Sequence, residues 1–125
     1  MRTTLLLVLL GIVYICASES FQTRYFTQTI DHFHFEKDDR SYQQRYLISD
    51  KYWNQKGPIL FYCGNEADVE VFWNNSGFIT FDLASNLNAL VVFAEHRYYG
   101  LSLPFGSLSF SKDNIQYLTT EQVVK

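Results

Sequence analysis

The chain has 125 residues, 47% apolar and 18% aromatic, which is enough for one modest packed domain and too apolar for a disordered chain. Its formal charge of −3 is mild, with 10 basic against 13 acidic residues, and no basic stripe gives an electrostatic case for nucleic acid.

"MRTTLLLVLLGIVYICASES" opens the chain with one Arg, an apolar run from Leu5 to Ala17, and then small residues. That is the layout of a secretory signal peptide. The run is shorter than the roughly 20 residues that span a bilayer, although a signal anchor is the alternative. Residues 1–17 are expected to be removed, with cleavage between Ala17 and Ser20. Residues 18–125 then enter the secretory pathway, with a lysosomal or extracellular destination. Asn74-Asn75-Ser76 is an N-x-S sequon that fits this compartment, with Asn74 as acceptor. Cys16 lies in the leader, so Cys63 is the one cysteine of the mature portion. Its place in an apolar strand predicts a buried free thiol; the alternative is a disulfide partner in sequence outside this chain.

Phe21 to Glu36 is rich in aromatic and β-branched residues and reads as extended strand with an edge face. "KDDRS" is a polar turn. Tyr42 to Ser49 alternates and predicts a second strand. "WNQKGP" breaks the chain. Ile59 to Cys63 is a continuous apolar run, the pattern of a strand buried on both faces. "GNEAD" is a loop. From Val69 to Asn88 a helix is expected after the sequon, with Phe78, Phe81, Leu83 and Leu87 near helical spacing. Ala89 to His96 is a second buried strand. Thr119 and Gln122 have capping-box spacing and open a helix. The fold class is therefore α/β: antiparallel lead-in strands, then strand, helix, strand. Such a sheet needs more strands, and the chain is expected to be the N-terminal part of a larger protein.

"IDHFHF", "QRYLISDKYW", "FYCGNEAD", "NNSGF" and "AEHRYYGLSLPFG" occur in order along the chain. Together they resemble the start of the family of serine exopeptidases that includes prolyl carboxypeptidase, dipeptidyl peptidase II and the thymus-specific serine peptidase. The resemblance runs from about Phe21 to Val124. It implies an α/β-hydrolase with a helical cap, a Ser-Asp-His triad, and cleavage of peptides next to proline or a small residue. It implies no cofactor. A homodimer is the expected assembly of the full-length protein.

"GLSLP" (Gly100 to Pro104) invites reading Ser102 as the nucleophile. A nucleophile elbow needs G-x-S-x-G, since small flanking residues permit the sharp turn. Leu103-Pro104 stands where that motif wants a small residue and then glycine. The triad is thus expected beyond Lys125, and none of His32, His34 and His96 matches the family's catalytic histidine. A metal site is not expected either, because no Cys or Glu set completes tetrahedral coordination around these histidines. In α/β-hydrolases one oxyanion donor is a backbone N–H after the third strand. Gly64, Asn65 and Glu66 are the candidates. An ordinary strand-to-helix connection explains the same residues, since Gly and Asn suit turns. The relatives' pattern has a second glycine where Ala67 stands here, so a positive φ at that residue would introduce strain. It also has Thr where Cys63 stands.

Arg97 is a candidate to hold a substrate carboxylate, and Glu66 or Asp68 a substrate amine. Alternatively, Arg97 pairs with a carboxylate while Tyr98 and Tyr99 lock the loop. The chain leans toward the carboxypeptidase branch on "RYLISDKYW" and "SFSKDNIQYLTTEQ". Two other readings stay open: a truncated, non-catalytic secreted fragment acting as a binding or decoy module, and a small secreted binding domain unrelated to the family.

Overall fold

The computed structural model describes residues 21–35 and 39–124. The leader and the first two residues of the "KDDRS" turn lie outside the described residues. Four strands form one mixed sheet in the order β1-β2-β4-β3. β1 (Gln22–Thr29) pairs antiparallel with β2 (Ser41–Ser49), and β2 pairs antiparallel with β4 (Leu90–Ala94). β3 (Ile59–Tyr62) lies parallel to β4. Parallel neighbours need a crossover, and residues 69–87 supply it as three short helical pieces.

Period-two alternation decides which face is covered. Register aligns Leu47 with Phe93, Phe93 with Tyr62, and Val91 with Leu60. These residues face the crossover, where Leu47, Val69, Trp73, Ala84, Val91 and Phe93 form the buried core. Trp73 meets Phe93 edge to face at a centroid separation of 5.0 Å, a favoured aromatic geometry.

β3 departs from its expectation. Its apolar run implied burial on both faces, yet Ile59 and Phe61 are 60% and 63% exposed. Among the described residues the crossover covers one face only, and β3 is the last strand of the sheet. Cys63 continues the Ile59–Phe61 side and is exposed, contrary to the buried thiol expected.

The crossover also differs. It starts before the sequon, at α1 (Val69–Asn74), capped by Asp68, whose side chain accepts from the Glu70 N–H. A π-helical turn (Phe78–Leu83) and α2 (Ala84–Leu87) follow. A π-turn holds more residues than an α-turn, so spacing of three and four no longer marks one face. Phe78, Phe81 and Leu87 are consequently exposed, while Thr80 and Ala84 point inward. The last helix, α3 (Thr120–Val123), begins as expected: the Thr119 hydroxyl accepts from the Gln122 N–H. The Gln122 side chain does not close the capping box. Its amide donates to Asp31 at 2.6 Å and accepts from the His32 N–H at 2.9 Å. No helix among the described residues is long and apolar enough to cross a membrane.

Candidate functional site

The chemistry-bearing residues gather where β3 and β4 end. At Gly64 the chain leaves β3 with φ +78°, and a Cβ there would sit 2.6 Å from both the Ala94 carbonyl oxygen and the His96 nitrogen. Glycine is required twice over, by dihedral and by contact. The turn that follows is short. The Glu66 N–H donates to the Asn65 side chain at 2.8 Å, and the Ala67 N–H to the Asn65 carbonyl at 2.8 Å. Those two donors are spent within the turn, which leaves the Asn65 N–H outside this pair of bonds. Ala67 is not among the residues with positive φ, so the strain considered for it is absent.

Arg45 and Glu95 anchor the far end of this loop. Arg45 shares the inward face of β2 with Leu47 and Ser49 and is 3% exposed. Its guanidinium reaches Glu95 through Nη2 at 2.5 Å and Nε at 3.2 Å, Asp68 at 2.6 Å and Glu70 at 3.2 Å. Glu95 is also buried, and it accepts from the Val69 N–H at 3.2 Å, the Leu101 N–H at 3.0 Å and the Ser102 hydroxyl at 2.8 Å. One carboxylate thus joins β2, the start of α1 and the turn after β4. Removing one member of a buried, hydrogen-bonded pair costs about 3–5 kcal/mol. Burial works against the charge on Arg45, but its bonds to Glu95 and Asp68 outweigh that and raise its pKa. Burial likewise opposes the Asp68 carboxylate. The Arg45 bond, the Glu70 N–H and the Arg45 charge together hold it below the usual range.

The turn after β4 is shaped to fit Glu95. At Gly100, φ is +53° and a Cβ would lie 1.9 Å from Glu95 Oε1. Tyr98 has φ 72°, a conformation a bulky residue adopts only under constraint. Its N–H donates to the Ser102 carbonyl at 2.8 Å and its hydroxyl to the Asn114 carbonyl at 2.5 Å. Ser102 is fully buried, and its oxygen also accepts from the Arg45 N–H at 2.8 Å. The serine of "GLSLP" is a structural tie between two strands.

Arg97 is 3% exposed. It donates to the carbonyls of Gln122 at 2.9 Å and Ile30 at 2.5 Å, with the Tyr42 ring 5.6 Å away. The carboxylate pairing expected of Arg97 belongs to Arg45 instead: Glu95 is engaged by Arg45, while Arg97, past the end of β4, bonds two backbone carbonyls. Burial pushes the Tyr42 hydroxyl up to about 12, although the Arg97 charge opposes this. His96 Nδ1 lies 2.6 Å from the Arg97 carbonyl. A carbonyl only accepts, so Nδ1 carries the hydrogen. His96 and Glu66 line a cleft of about 210 Å³ with Leu118, Thr119, Thr120 and Val123.

The sequence-predicted residues Gly64, Asn65, Glu66 and Asp68 therefore form one loop, and Arg97 is a buried fastener between the Ile30 and Gln122 carbonyls. Arg45 was missed. Its phase with Leu47 and Ser49 on an alternating strand was the available signal, since a buried arginine requires partners. Among the described residues no group of three or more His, Cys, Asp or Glu side chains is arranged to hold a metal ion. Asn74 is exposed at the end of α1.

A family model described as serine carboxypeptidase S28 matches residues 28–125. Lysosomal Pro-X carboxypeptidase from Bos taurus is 53% identical over 106 residues, covering 83% of this chain and 21% of that protein. The Homo sapiens protein of the same name is 49% identical over 109 residues, covering 86% and 22%. The Caenorhabditis elegans prolyl carboxy peptidase like protein 5 is 40% identical over 105 residues, covering 83% and 20%. The chain spans about a fifth of the length of these curated relatives. With the model matching more than three quarters of its residues, the chain belongs to the serine carboxypeptidase S28 family.

Proposed function

We propose that these residues form the front of an α/β-hydrolase sheet in a secreted or lysosomal serine exopeptidase, and that they supply part of its oxyanion hole. The observation that carries this reading is the Gly64–Asp68 loop. It leaves the carboxyl end of a parallel strand, where α/β proteins place their ligands, and its backbone is fixed before any substrate arrives. A fixed N–H aimed at a developing oxyanion stabilises the transition state by about 3–4 kcal/mol. The Asn65 N–H is the donor assigned, because those of Glu66 and Ala67 are already engaged.

Nucleophile, acid and base come from parts of the complete protein outside these residues; the burial of Ser102 supports this. The substrate is a peptide with proline in the penultimate position, from which one C-terminal residue is released. The names of the mammalian relatives support that choice over dipeptide release. Glu66 and His96, lining the cleft beside the loop, are placed to meet substrate. The experiment is an assay of the full-length enzyme at acidic pH on one peptide ending in Pro-Phe and one beginning with Lys-Pro. Free Phe is the expected product. Release of the N-terminal dipeptide without free Phe overturns the proposed specificity.

A further inference from the structure

We infer that Arg45, acting through Asp68 and Glu95, is a positioning residue for the Asn65 N–H; the inference rests on the oxyanion reading of the Gly64–Asp68 loop. The loop is five residues long and is fastened at both ends. At its start, Gly64 packs so closely on the Ala94–His96 backbone that no side chain fits. At its end, Asp68 is held by Arg45 at 2.6 Å, and the next N–H, that of Val69, is held by Glu95 at 3.2 Å. Arg45 and Glu95 in turn sit on β2 and beside β4, the two central strands. The position of the Asn65 nitrogen is therefore referred to the middle of the sheet, not to the exposed strand β3.

The residue types fit the task. Arg45 reaches three carboxylates at once from a single planar group, which a lysine ammonium does not do with fixed geometry. Asp68 is the member that links the buried pair to the loop, and its side chain is 42% exposed, so it can be altered with little effect on the core. An oxyanion donor loses its effect when displaced by about an ångström, because it must meet the oxygen of the transition state and not that of the substrate. Loosening the clamp should therefore lower kcat and leave KM in place.

The test uses the full-length enzyme. Asp68→Asn keeps an acceptor for the Glu70 N–H, and so keeps the cap of α1, while weakening the Arg45 bond. We expect kcat to fall about tenfold, KM to stay near wild type, and amide hydrogen exchange at residues 65–69 to quicken. Arg45→Lys should show the same split, and Asp68→Asn carries the test should Arg45→Lys fail to fold. A folded Asp68→Asn enzyme with unchanged kcat overturns the inference, as does one in which only KM rises, which would make Asp68 a substrate contact. Asn65→Pro against Asn65→Ala separates the underlying reading. Proline deletes the N–H and alanine keeps it, so only proline should abolish activity. If the two variants have equal kcat, the oxyanion reading falls and the positioning role with it. If proline alone inactivates while Asp68→Asn is unimpaired, the oxyanion reading stands and only the clamp is refuted.

Discussion

Ser102 shows how residue chemistry and residue role separate. Its hydroxyl donates to Glu95 and accepts from the Arg45 N–H, both out of contact with water. Ser102→Ala leaves that N–H and one carboxylate oxygen short of a partner, a loss of about 2 kcal/mol. We expect a lower unfolding midpoint in denaturant for the full-length protein, with kcat near wild type. Complete loss of activity in a folded variant would restore Ser102 as a catalytic candidate. Asn74 poses the opposite case, a residue free to react. It is exposed beside the C-cap of α1, and its triplet is an acceptor sequon. Secreted wild-type protein should lose mass on glycosidase treatment by one glycan more than Asn74→Gln. Identical shifts would rule out modification there.

At the scale of elements, α1 owes its start to Asp68. The cap satisfies one of the first N–H groups of the helix, and the same carboxylate answers Arg45. Its pKa is lowered in the folded state, so its contribution to stability is present above the unfolded aspartate value near 3.9 and is lost as pH falls below that. Partial exposure and salt screening keep the contribution small. Thermal midpoints of wild type and Asp68→Asn should therefore differ at neutral and mildly acidic pH and converge below about pH 4. A gap that widens on acidification would contradict this. The π-helical turn is the element where sequence periodicity misled. Phe78, Phe81 and Leu87 look like a core stripe only if every turn holds 3.6 residues, and one wide turn rotates them outward.

At the scale of the whole molecule, the sheet is covered on one side among the described residues. On the other, Phe26, Tyr46, Phe61, Val92 and Ala94 line an apolar hollow of about 300 Å³, and β3 presents Ile59 and Phe61. Open apolar sheet with an unpaired edge drives association. Residues 18–125 expressed alone should self-associate, bind a hydrophobic dye and show no peptidase activity. A monomer by light scattering with a cooperative melt and no dye binding would refute this.

Strand identity was legible because alternation and continuous apolar runs report local burial directly: β2, β4 and the Thr119 cap lie where pattern and turn chemistry put them, while β1 ends at Thr29, short of the Glu36 expected. The Gly64 turn was legible for a similar reason, since a strand ending in Gly-Asn leaves few backbone options. Family membership was legible in "AEHRYYGLSLPFG" and its companions. Pairings across the sheet were not. Whether Glu95 answers Arg97, two residues away, or Arg45, fifty residues away, depends on what the packed sheet and the turn after β4 bring beside each side chain. That β3 is the last strand among the described residues, with Cys63 exposed there, depends on strand order, which no local pattern encodes. Composition and periodicity settled which segments are strands. Only the tertiary arrangement decided which charges meet, because a buried arginine takes its partners from whatever the packed sheet brings within reach.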